Sequence, residues 1–148
     1  MSSTYTSLHY HFIFSTRNRV GLIDDRWRED LYTYIAGAFK ELGARVEEIG
    51  GTADHVHILA ELPTTQTVAD IMRCVKRNSS AWVHRKFGLA QFAWQEGYAA
   101  FSVSASGRDQ VRRYIRNQEE HHKQVSFIDE LVAFLDKIGV NYDRKYLE

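Results

Sequence analysis

Residues 54–62 read Asp-His-Val-His-Ile-Leu-Ala-Glu-Leu, and Pro63 follows. In an extended chain successive side chains alternate between two faces. Val56, Ile58, Ala60 and Leu62 then form an apolar face suited to packing under helices. His55, His57, Leu59 and Glu61 occupy the other face, with two imidazoles side by side. A strand of this kind needs neighbours on both sides, and the flanking sequence supplies them.

Upstream, Arg45 to Ile49 reads as a short strand, and Gly50-Gly51 as a turn. Before it, Trp27, Leu31, Tyr34, Ile35, Ala38, Phe39 and Leu42 recur at three- and four-residue steps. That spacing predicts a helix capped by Asp24 or Asp25 and stopped by Gly43. Leu8 to Ser15, rich in aromatic and β-branched residues, reads as the first strand. The polar loop Arg17-Asn18-Arg19 follows it. Downstream, Thr67 opens a helix to about Phe87, ended by Gly88, and Gly97 to Ser104 reads as a further strand. Ser106 can cap a helix from Gly107 to about Gln124, and a last helix runs from Ser126 to Ile138.

The order is β-α-β-β-α-β followed by two helices. It predicts an α+β, ferredoxin-like antiparallel sheet with helices on one face, the other face being left open for a ligand or partner. The chain is expected to form a single domain over residues 1–148. Residues 1–105 make the ferredoxin-like core, and 106–148 carry a helix with Tyr114 and a C-terminal helix or tail.

Composition is ordinary for a globular protein, with 44% apolar and 26% charged residues. The formal net charge is zero, so bulk charge gives no argument for nucleic acid, although a local basic face remains possible. A lone cysteine, Cys74, allows no internal disulfide and fits a reducing compartment. The N-terminal residues lack a signal-peptide pattern, and no apolar run approaches the ~20 residues that span a bilayer. The expectation is a cytoplasmic protein with no membrane partner.

The chemistry concentrates in two segments. His55 and His57 form a preorganised pair of metal-ligand type on the less apolar face of their strand. Residues 114–118 read Tyr-Ile-Arg-Asn-Gln, and a helix places Tyr114 and Gln118 on one side. If strand and helix meet, two imidazoles, an amide and a phenol converge. The ordinary alternatives stand beside this. A His-x-His pair can simply hydrogen-bond within a sheet, and eight tyrosines compete, with no periodicity selecting Tyr114. His9 and His11 form a rival pair on the first strand, also facing away from its apolar side. His121 and His122 read as solvated helix-end residues, and His84 as part of a basic helix.

Taken together, these residues resemble the single-tyrosine HUH transposases (histidine, hydrophobe, histidine) of small bacterial insertion sequences and their domesticated repeat-associated relatives. The resemblance rests on Tyr10-His11-Phe12-Ile13-Phe14 leading to Thr16-Arg17-Asn18-Arg19, on Asp54-His55-Val56-His57-Ile58-Leu59, on Phe92-Ala93-Trp94-Gln95-Glu96-Gly97-Tyr98, and on Tyr114-Ile115-Arg116-Asn117-Gln118-Glu119-Glu120-His121-His122. It covers nearly the whole chain, in order. It implies a ferredoxin-like fold and a homodimer. It implies that His55, His57 and Gln118 bind Mg²⁺ or Mn²⁺, and that Tyr114 attacks single-stranded DNA, from hairpin-containing element ends, to give a 5′-phosphotyrosine and a free 3′-OH. In such proteins the tyrosine helix often packs on the partner subunit. DNA contacts are expected from Arg17, Arg19, Arg73, Lys76, Arg77 and Arg112, with bases stacking on Trp94, Tyr98 or Phe101. The competing readings are a non-catalytic nucleic-acid-binding module of the same fold, and a metallohydrolase that uses water as its nucleophile.

Overall fold

The computed structural model describes residues 3–147. Four strands, β1 (His9–Ser15), β2 (Arg45–Gly51), β3 (His55–Glu61) and β4 (Ala99–Val103), pair in the order β2-β3-β1-β4. Every pairing is antiparallel, and His57 of β3 lies opposite Ile13 of β1. This is the ferredoxin-like arrangement that the element order predicts.

Two helices, α1 (Arg28–Glu41) and α2 (Val68–Phe87), cover one face. The side chains turned toward them, Phe12, Phe14, Val56, Ile58 and Ala60, are fully buried and join Leu31, Ile35, Phe39, Ile71, Met72 and Val75 in the main core. Thr67 caps α2 by accepting the Asp70 amide at 3.1 Å, and Gly88 ends it at φ +65°. The start of α1 lies later than the sequence suggests. The Asp24 carboxylate accepts the Arg26 amide at 2.8 Å in a turn instead of capping the helix, which begins at Arg28.

The second face of the sheet is not open. The expected helix from Gly107 to Gln124 breaks at Asn117 into α3 (Arg108–Arg116) and the single turn α4 (Gln118–His121). A fifth helix, α5 (Phe127–Ile138), is capped by Ser126 and ended by Gly139 at φ +82°. Its apolar stripe Phe127, Leu131 and Leu135 closes over Ile13 of β1 and packs on Ala99 and Phe101 of β4, making a second core. The physical reason is on both sides of the contact. The stripe on α5 has to leave water, and Ile13 and Phe101 give the far side of the sheet an apolar strip to receive it. His11, His55 and His57 are buried beneath α5, and His9 is buried against Glu47 of β2.

Helix α3 sits on β2. At Gly50 any Cβ would run into the carbonyl oxygen of Ile115, so only glycine allows this approach. The pairing of β2 with β3 shifts register between Val46 and Glu48, a β-bulge that centres on Glu47. Both adjacent carboxylates reach the helix: Glu47 accepts from Arg108 at 2.8 Å and Glu48 from Arg116 at 2.7 Å. These contacts hold α3 against the strands of its own chain. Among the described residues no helix is long and apolar enough to cross a membrane.

Candidate active site

The strand β3 delivers both histidines with their rings anchored from behind. His55 places Nδ1 at 2.8 Å from the Asp54 carboxylate and 3.0 Å from the Thr52 hydroxyl. His57 places Nδ1 at 2.7 Å from Nε2 of His11. The outward nitrogens then converge on residues that follow in the chain. His55 Nε2 lies 2.9 Å from Gln118 Oε1, and His57 Nε2 lies 2.9 Å from Glu130 Oε1. The expected meeting of strand and helix therefore occurs, and within one chain. Tyr114 stands over the same group, its ring centroid 5.7 Å from His57 and 6.3 Å from His11.

Three residues of the site, His121, His122 and Glu130, escaped the sequence reading. His122, expected to be a solvated helix end, turns inward: Nδ1 meets the Val125 carbonyl at 2.6 Å and Nε2 lies 3.0 Å from Gln118 Oε1. Glu130 on α5 is the hub. Its carboxylate accepts hydrogen bonds from the Tyr114 hydroxyl and from Gln118 Nε2 at 3.0 Å, and His121 and His122 each place Nε2 at 3.2 Å. A signal for Glu130 was present. It falls between Phe127, Leu131 and Phe134 on the apolar stripe of its helix, and an acid there must be buried with partners.

The electrostatics follow from this packing. Burial pushes His57 down to about 4 and His11 to about 3, so both imidazoles are neutral at pH 7. Burial alone would raise the Glu130 carboxyl, but hydrogen bonds from His122 and His57 hold it well below the usual carboxylate range. Burial, with the Glu130 carboxylate beside it, raises the Tyr114 phenol above its ordinary value. Tyr114 is thus a protonated phenol hydrogen-bonded to a carboxylate.

His55, His57, His122 and Glu130 each offer a ligand atom, and these atoms lie within 4.8 Å of one another, with Gln118 Oε1 beside them. A mixed nitrogen and oxygen donor set of this kind fits a divalent first-row ion. The rival pair separates. His11 serves behind His57, whereas His9 places Nδ1 at 3.2 Å from Glu47 in a different group with Glu61.

The basic residues fall into distinct places. Arg73 and Arg77 are exposed on α2, on the face of the sheet opposite Tyr114, and Arg73 pairs with Asp70. Lys76 is half-buried and donates to the carbonyls of Glu96 and Gly97 at 3.1 and 2.8 Å, fastening that loop. Arg17 is exposed. Arg19 follows Asn18 in a turn where both have positive φ (+54° and +56°), a backbone state that non-glycine residues seldom adopt. Arg19 lines a cleft with Asp54 and His122, and its Nη1 has no hydrogen-bond partner among the described residues. Arg112 lies on α3 near Tyr114 and pairs with Asp109 at 2.9 Å. Of the aromatics expected to stack on bases, Trp94 is buried edge-on against Phe14 and Phe101 is stacked on Phe134, so both serve the cores. Tyr98 alone of the three is exposed.

Known proteins of similar sequence and fold are transposases. A family model described as IS200-like transposase matches residues 4–118. The transposase for insertion sequence element IS200 of Salmonella typhimurium is 25% identical over 129 residues, covering 83% of this chain and 84% of that protein. The ISDra2 transposase TnpA of Deinococcus radiodurans is 24% identical over 119 residues, covering 76% and 85%. The structure of a REP-associated tyrosine transposase, bound in that case to a REP hairpin, superposes with a TM-score of 0.62 at 17% identity over 84% of this chain and 76% of that one, a likeness of fold.

Proposed function

This chain belongs to the IS200-like transposase family, and from that premise we propose that it cleaves and rejoins single-stranded DNA through a 5′-phosphotyrosine on Tyr114. His55, His57 and Gln118 hold a divalent ion, Mg²⁺ or Mn²⁺, in this reading. One observation carries it: the Tyr114 hydroxyl, both β3 imidazoles and the Gln118 amide share a single hydrogen-bonded cluster, joined through Glu130.

The Tyr114 oxygen attacks phosphorus as the bond from phosphorus to the 3′ oxygen breaks. The phenolic proton departs, and the 3′ oxygen leaves as a hydroxyl. A divalent ion supplies the positive charge that polarises a phosphoryl oxygen. Glu130 accepts the hydrogen bond from Tyr114 and so orients the phenol, and the two anchored rings fix the donors around the phosphate. Burial under α5 keeps water from the tyrosyl linkage, which a later 3′-OH then attacks to rejoin a strand. The covalent bond conserves the phosphodiester energy, so no nucleotide cofactor is needed. A mostly apolar cavity of about 520 Å³ between α3 and α5, bordered by Tyr114, Val111 and Phe134, gives the strand its approach. Arg112, two residues before Tyr114 on the same helix, and Arg19, in the cleft with Asp54 and His122, would hold DNA through phosphate contacts, with Arg17, Arg73 and Arg77 further out. One nucleophilic tyrosine per chain suits a cytoplasmic homodimer that cuts one element end per subunit, the ends being hairpin-bearing single strands.

The test uses single-stranded oligonucleotides with imperfect hairpins, incubated with the protein and Mn²⁺ or Mg²⁺. A protein–DNA adduct that survives denaturation is expected. Tyr114→Phe should lose the adduct and keep DNA binding. Cleavage that persists in Tyr114→Phe would transfer the reaction to water, and binding with no adduct in the native chain would leave only a binding module.

A further inference from the structure

We infer that Glu130 of α5 is itself a ligand of the divalent ion, giving this chain a carboxylate in its metal site supplied from beyond Gln118. The inference rests on the metal reading above. The family match ends at residue 118, so Glu130 lies outside it.

The partners behind the rings fix which ring nitrogens face the site. A carbonyl oxygen only accepts, so the 2.6 Å contact of His122 Nδ1 with Val125 places a proton on Nδ1 and turns Nε2 into the site as the nitrogen available to an ion. The Asp54 carboxylate does the same for His55. Those two Nε2 atoms both face Gln118 Oε1, at 2.9 and 3.0 Å, while the Gln118 amide nitrogen is committed to Glu130. Glu130 adds its own anionic oxygens, 3.2 Å from His122 Nε2 and 3.9 Å from His55 Nε2. A bound divalent ion would take the place of the protons these inward-facing nitrogens and oxygens share, since ligand nitrogens bind metal only once deprotonated.

The spacings are those of a shared ion. Ligand atoms each ~2.0–2.3 Å from one metal stand about 3–4.5 Å from each other, and the Glu130 contacts with His57, His122 and His55 run 2.9, 3.2 and 3.9 Å. Each of the three histidines also has its Nδ1 fixed by a partner behind it, as metal-bound imidazoles do. A carboxylate matters to the choice of ion. Two imidazoles and an amide form a neutral, rather soft set, and one anionic oxygen makes it more suited to Mn²⁺ or Mg²⁺. Because the same carboxylate belongs to α5, metal binding would also fasten that helix over the site.

The readout is metal binding to the full chain, without DNA. In calorimetric titration with Mn²⁺, Glu130→Gln should weaken binding by at least about tenfold. Hydrogen exchange in α5 should slow on adding Mn²⁺ to the native chain and stay unchanged in Glu130→Gln. Should that variant fold poorly, electron–nuclear double resonance of Mn²⁺ bound to native protein carrying ¹³C at its glutamate carboxyl carbons decides the matter. A ¹³C coupling from a directly bound carboxylate is expected, and its absence overturns the assignment. Equal Mn²⁺ affinity in native and Glu130→Gln protein, with binding lost in His57→Ala, would also remove Glu130 while leaving the histidine site standing. A native chain that binds no Mn²⁺ would overturn the metal reading itself.

Discussion

The two faces of the sheet have been built for different tasks. Toward α1 and α2 the strands present Phe12, Phe14, Val56, Ile58 and Ala60, an uninterrupted apolar layer. Toward α3 and α5 the same strands present His9, His11, His55 and His57, buried as deeply but every one in contact with a polar partner. Strand alternation therefore sorts one short run of sequence into a layer that holds the fold and a layer of paired polar groups, where the proposed chemistry sits. Burial alone does not distinguish the two. What distinguishes them is whether each buried group needs a specific partner.

Substitutions should respect that division. The largest effect is expected from His57→Ala: adduct formation should fall by at least about 10³-fold, roughly 4 kcal/mol of barrier, while the free energy of unfolding falls less than for a core truncation. Phe14→Ala, on the opposite face and packed against Trp94, should cost about 3–5 kcal/mol of stability, read from denaturant unfolding. If His57→Ala proved the more destabilising of the two, the separation of tasks would not hold. Gly50→Ala probes the seam between the layers. Its Cβ meets the Ile115 carbonyl, so α3 has to lift, at a cost of about 1–3 kcal/mol, with adduct yield dropping alongside stability. The smallest effect is expected from Arg116→Ala. Its pair with Glu48 is largely exposed, and its loss should change stability by under about 1 kcal/mol. A larger loss would make the Glu47 and Glu48 contacts, and not Gly50, the main hold on the tyrosine helix.

The sheet was legible because strand alternation and helical spacing are local patterns, and Val56, Ile58, Leu31 and Ile35 announce them. The meeting of His55 with Gln118 was legible only through the resemblance, since no periodicity brings residue 55 to residue 118. The covered second face was misread because each strand showed only which side was less apolar. The partner for Ile13 and Phe101 lies far along the chain, in the stripe Phe127, Leu131 and Leu135. Reading that stripe as a surface in need of cover would have placed α5, and with it Glu130. His122 was misread for a related reason. The helix was expected to run straight through Asn117, and a break there redirects the side chains beyond it.

The distribution of aromatic residues has a practical consequence. All three tryptophans, Trp27, Trp82 and Trp94, lie in or against the core beneath α1 and α2, whereas the opposite side is populated by tyrosine, phenylalanine and histidine. Intrinsic tryptophan fluorescence will therefore follow the melting of one half of the molecule and stay nearly silent when α5 alone comes away. An unfolding curve that looks two-state by that emission can coexist with an earlier release of the face that carries Tyr114. A tryptophan introduced at Phe134, beside Tyr114, would give that face its own optical signal.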